Sequence, residues 1–155
     1  ENDIRVPYDP DDDREVTTFL AKQAVKSAVR LNTKAIITDS HTGRTARVLA
    51  AFRAKCPVFA IATTERLARE LALSYGVWAE HQPGRGLENT KESRRAYFVH
   101  AIQKLMDSNM IDADDRVAYI GGSFGETGGT TYLDINEVYK ILEAKDKYNL
   151  PDYTL

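Results

Sequence analysis

The sequence predicts a three-layer α/β/α domain built on a five-stranded, mostly parallel sheet with an antiparallel last strand. Three observations carry this. Segments with helical apolar spacing alternate with short apolar runs across short connections. The run at residues 57–62 is apolar at every position after Pro57, as a strand covered on both faces is. Residues 131–138 instead alternate, with Leu133 and Ile135 on one face, as a strand does that returns antiparallel from a glycine-rich tip.

Residues 1–12 are acidic and contain Pro7 and Pro10, which exclude a regular helix and predict a linker or extended arm. The domain is expected over residues 13–155. Val16, Phe19, Leu20, Ala24, Ala28 and Leu31 recur at helical spacing and predict an amphipathic helix, ended by Asn32, with those residues facing the sheet. Residues 35–38 form a buried strand, 45–52 a helix and 57–62 the second strand. Thr63 and Thr64 offer caps for a helix through Leu73, with Tyr75-Gly76 ending it before a third strand at Val77-Trp78-Ala79. Trp78 either stacks on a ligand or, as aromatics in strands usually do, lies in the core. Pro83, Gly84 and Gly86 make a loop, and Asn89 with Glu92 has the spacing of a capping box for a helix to about Ser108. Asp112 to Asp115 form an acidic turn before the fourth strand at residues 116–120.

Composition narrows the function. With 155 residues the chain suits one domain with a sizeable core, and a formal net charge of -2 gives no global field for nucleic acid or an anionic membrane. Cys56, the only cysteine, excludes an internal disulfide and a cysteine-based zinc cluster, and reads as a small buried hydrophobe. No apolar run is long enough for a membrane span and the start lacks signal-peptide order, so a cytoplasmic location is expected. The opening at Glu1 rather than Met suggests a piece of a longer protein. His81 and His100 have no partner at metal-ligand spacing, and no metal site is expected.

The chemistry concentrates after the first strand, at Ser40, His41, Thr42, Gly43, Arg44 and Thr45. Hydroxyls flank a histidine, glycine lets the backbone turn closely, and a helix follows. A phosphate there would meet helix N–H groups, the positive end of the dipole, hydroxyl donors and Arg44 together. The same residue types also suit an ordinary capped strand-to-helix turn. A second glycine-rich loop, Gly122, Ser123, Phe124, Gly125, Glu126, Thr127, Gly128 and Gly129, follows the fourth strand. Ligands of such sheets lie at the carboxyl ends of the strands, so the two loops share one pocket if strands one and four are neighbours.

Taken together these motifs resemble the carboxyl-terminal domain of the pyruvate kinase family, over about residues 16–138. The resemblance rests on Ser40-His41-Thr42-Gly43-Arg44-Thr45, Arg53-Ala54-Lys55-Cys56-Pro57-Val58, Leu67-Ala68-Arg69, Tyr75-Gly76-Val77 and the strand, glycine loop and Thr130-Thr131 near the end. It implies a regulatory and assembly domain with no catalytic residue and no cofactor of its own. Phosphoenolpyruvate, ADP, Mg²⁺ and K⁺ belong in this family to a separate barrel, for which this chain has no room. The resemblance further implies a homotetrameric parent and an effector whose phosphate sits on the first loop, with the glycine hairpin closing over it.

In members that bind fructose 1,6-bisphosphate, basic residues hold the second phosphate. Here Arg94 or Arg95 fits the first such position, but the loop reads Ser123-Phe124 and adds Glu126. A carboxylate within a few ångströms of that phosphate repels it by about one to several kcal/mol. A monophosphorylated sugar or a nucleotide monophosphate, or an effector site that has lapsed, is therefore expected. His41 stands where some members have lysine, and either adds a pH-sensitive charge or is a solvated loop residue. The first loop also resembles the Ser-x-Ser-Gly-x-Thr phosphate loop of SIS-type sugar-phosphate isomerases and sensors, which is the alternative reading. A scaffold that only builds oligomers is the third.

Overall fold

The computed structural model describes residues 14–40, 42–82, 91–122 and 130–147. The arm at residues 1–12, His41, the capping box residue Asn89 and the glycine loop at 123–129 lie outside them. In chain order the elements are α1 (Arg14–Arg30), β1 (Thr33–Ser40), α2 (Arg44–Ala51), β2 (Val58–Ala62), α3 (Glu65–Leu71), β3 (Val77–His81), α4 (Lys91–Asp107), β4 (Arg116–Gly122), β5 (Thr130–Glu137) and α5 (Val138–Lys147).

The sheet has five strands in the order β3-β2-β1-β4-β5. β1 pairs parallel with both β2 and β4, and β2 with β3, while β5 returns antiparallel on β4. The chain thus steps outward from β1 to β3 and then jumps back to β4 on the other side of β1. α1, α2 and α3 pack on one face of the sheet, and α4 and α5 on the other. Reversing both the direction of travel and the face keeps the crossovers of one hand, as parallel sheets require. The reversal makes β1 and β4 the switch point, where an open α/β sheet has its ligand crevice.

The two faces differ in texture. Under α1 to α3 the buried residues include Ala21, Ala24, Ala46, Ala60, Ala62 and Ala118, small enough to let the helices lie close to the strands. Under α4 and α5 the fill is bulkier, with Phe59, Tyr97, Phe98, Ile102, Leu105 and Tyr119. Phe98 and Tyr119 meet with ring centroids 4.5 Å apart, a favourable tilted aromatic pair.

Three expectations need correction. α1 buries Thr17, Ala21, Ala24 and Ser27, whereas Val16, Leu31 and Phe19 are exposed, Phe19 at 62%. The sheet selects the stripe of small residues, and the Ser27 hydroxyl is accommodated by donating to the Ala24 carbonyl at 2.6 Å. Trp78 is 58% exposed rather than core. It sits on the edge strand in register with Phe59, with a strand neighbour on one side only. Finally, the last strand does not run through Val138, because α5 begins there. Its first two N–H groups donate to the turn before β4, Val138 to the Asp115 carbonyl at 2.9 Å and Tyr139 to that of Ala113 at 3.0 Å. Among the described residues no helix is long and apolar enough to cross a membrane.

Candidate functional site

The first loop is shaped by its own side chains before any ligand is considered. β1 alternates faces, so Ile36, Thr38 and Ser40 point toward the α2 side, and Ser40 ends the strand almost fully buried. There its hydroxyl accepts the Gly43 N–H at 2.7 Å. That contact folds the loop back on itself and lets Gly43 serve as N-cap of α2 with φ 82°. Glycine suits the position for a second reason. A Cβ there would lie 2.9 Å from Arg47 Nη1 and 3.0 Å from Leu71 Cδ2.

The expected site residues therefore separate into two groups. Ser40 and Thr45 are buried, Ser40 bracing the turn, whereas Thr42 and Arg44 face solvent. The Arg44 N–H lies a long 3.4 Å from Thr42 Oγ1. Gly43 brings no side chain to cap the helix. Its N–H, counted in the sequence reading among the groups open to an anion, is taken by Ser40. What remains for a ligand is the first turn of α2, with the dipole's positive end, and the exposed hydroxyl and guanidinium beside it.

Sequence reasoning gave Arg47 no role, and the structure places it at the centre. Arg44, Arg47, Val48 and Ala51 share one face of α2 at i, i+3, i+4, i+7 spacing, and with Thr42 they line an open groove of about 420 Å³. Arg47 Nη1 donates to the Thr42 carbonyl at 2.9 Å, and Nη2 lies 3.6 Å from Glu70 of α3. The available signal was the three-residue spacing from Arg44. Two guanidiniums thus stand beside an exposed hydroxyl and a helix N-terminus, one of them shared with the Glu70 carboxylate.

None of the other expected residues that the structure describes lines this groove. Gly122 closes β4, beside β1 in the sheet, so the two loops leave neighbouring parallel strands at the same end. The loop residues Ser123, Phe124, Gly125, Glu126, Thr127, Gly128 and Gly129, and the Arg94 side chain, lie outside the described set. Arg95 is carried by α4, across the sheet from α2. His81 Nδ1 is 3.1 Å from the Ala62 carbonyl, tying the ends of β3 and β2. Burial pushes the Cys56 thiol up to about 11, which keeps it a neutral, unreactive group. Among the described residues no group of three or more His, Cys, Asp or Glu side chains is placed to hold a metal ion.

Comparison with known proteins places this architecture. The profile of the family described as pyruvate kinase, alpha/beta domain, matches residues 19–136. The pyruvate kinase of Borreliella burgdorferi is 32% identical over 137 residues, covering 86% of this chain and 28% of that protein. The pyruvate kinase of Bacillus licheniformis is 27% identical, covering 82% and 21%. Among solved structures, Cryptosporidium parvum pyruvate kinase in complex with ADP superimposes with a TM-score of 0.70 over 87% of this chain and 25% of that one, at 23% identity, a likeness of fold. The chain thus spans under a third of the length of these curated relatives, and the SIS-type resemblance loses to a match that runs from α1 to β5. By sequence and by fold, this chain belongs to the pyruvate kinase alpha/beta domain family.

Proposed function

We propose that this chain is the allosteric and assembly portion of a pyruvate kinase and binds a phosphorylated effector on the turn between β1 and α2. The observation that carries the reading is the glycine-capped turn at the switch point, with Arg44, Arg47 and Thr42 exposed on one groove. An arriving phosphate gains the first-turn N–H groups of α2, the helix dipole and two charge-assisted guanidinium contacts. Glu126 in the second loop argues for one phosphate rather than two, hence a monophosphorylated sugar or a nucleotide monophosphate.

On this reading the parent activity, phosphate transfer from phosphoenolpyruvate to ADP with Mg²⁺ and K⁺, belongs to a barrel separate from these residues. This chain contributes regulation and one interface of a cytoplasmic homotetramer, and is inactive alone. Calorimetry against AMP, glucose 6-phosphate, ribose 5-phosphate and fructose 1,6-bisphosphate tests the proposal. Binding without turnover is expected, and Thr42→Ala with Arg44→Ala, both exposed on the groove, abolishes it while circular dichroism stays unchanged. Isomerisation of a sugar phosphate would return the SIS-type reading, and silence toward all four would leave a scaffold.

A further inference from the structure

Among the described ion pairs, Glu70 is the carboxylate paired with a groove-lining residue, and it belongs to a different helix. Its Oε2 lies 3.6 Å from Arg47 Nη2 and its Oε1 accepts from Arg66 Nε at 3.0 Å, so one carboxylate is shared between two guanidiniums. Arg47 in turn spends Nη1 on the Thr42 carbonyl. Of its five donors, two are accounted for by these partners. The carboxylate thus occupies, from inside the protein, a cation that lines the anion groove.

Resting on the phosphate reading above, we infer that Glu70 is a built-in competitor for the effector's phosphate, and that Arg47 is the residue exchanged between them. In this structure Arg47 is held by Glu70 of α3. A phosphomonoester in the groove offers the guanidinium a more highly charged, bidentate partner, and Arg47 leaves Glu70 for it. The exchange is cheap because Glu70 keeps Arg66 and is about half exposed, so no carboxylate is stranded in the interior. Occupancy of the groove is thereby coupled to the tie between α2 and α3, and Glu70 sets the effector concentration at which the site fills.

The test is calorimetry with AMP and with inorganic phosphate on the full 155-residue chain. Glu70→Gln removes the competing charge and keeps the side chain's shape. It is expected to tighten AMP binding about two- to fivefold, the range of a half-exposed ion pair. In an Arg47→Ala background, itself weaker in AMP binding, the same substitution is expected to change nothing. Glu65→Gln, on the same helix but paired with Arg69, serves as the control for a general field and should leave affinity unchanged.

Unaltered or weaker binding by Glu70→Gln, or equal tightening by Glu65→Gln, overturns the competitor role while the phosphate site stands. Failure of the unsubstituted chain to bind either probe overturns both. Tightening by Glu70→Gln that vanishes without Arg47 establishes the exchange.

Discussion

Two turns of this molecule do the same structural job with opposite chemistry. Both β1 to α2 and β2 to α3 carry a parallel strand into a helix on the same face of the sheet, one strand apart. The second is closed by its own sequence. Thr64 has an extended backbone, φ -137°, and its hydroxyl accepts the Leu67 N–H at 3.1 Å. The first puts Gly43 at the equivalent place, in a left-handed conformation and without a side chain to offer. Glycine is only a few tenths of a kcal/mol worse than threonine as a cap, so leaving α2 open costs little stability. The difference teaches two ways to close a strand-to-helix turn: at the first, the hydroxyl sits at Ser40, where it braces the loop from below, and the helix end carries no side-chain cap.

The largest effect expected from disturbing this contrast is that of Gly43→Ala. A left-handed backbone is strained by the added methyl group, and the side chains of Arg47 and the buried Leu71, 2.9 and 3.0 Å from the missing Cβ, must shift to admit it. Urea denaturation should register a loss of about 2 to 3 kcal/mol, and AMP binding should fail with it. Gly76→Ala is the matched control, because Gly76 has a similar φ of 68° but open space around the missing Cβ. Its cost should be the backbone strain alone, about 1 kcal/mol. Equal losses at the two glycines would show that the first turn is not closely packed, and would undo the argument from its geometry.

Much of this was legible in the sequence because the signals were local. The continuous apolar run before Thr63 has no reading but a doubly covered strand, and β2 is buried throughout. The tight strand-to-helix turn was legible through Ser40 and Gly43, which the structure joins by a hydrogen bond. Other features were illegible because they depend on what lies across the fold. Val138 satisfies the alternation of β5 and the first turn of α5 equally well, and the turn before β4, which receives its N–H, decides between them. The orientation of α1 follows from the size of Thr17, Ala21 and Ala24, whereas periodicity weighs only apolarity. Trp78 was misplaced because a strand pattern does not say which strand ends at the sheet's edge. At the site, the residue types were readable but their directions were not. Ser40 turns inward to Gly43, and Arg47 acquires its meaning from Glu70 on another helix.

The smallest effect is the most discriminating. Thr64→Ala removes the hydroxyl that caps α3 and should lower stability by about 1 kcal/mol in the same urea titration. If the two turns are specialised as their geometry indicates, this loss stays out of the binding reaction, and AMP affinity remains within twofold of the unsubstituted chain. Such a result sets a stability change without a binding change against Thr42→Ala with Arg44→Ala, where the order is reversed. α3 also carries Glu70, however, so fraying its first turn has one route to the groove. A drop in AMP affinity on Thr64→Ala that persists after Glu70→Gln would mean that α3 supports the loop through packing, with Leu71 beneath Gly43 as the contact, and not through the shared arginine.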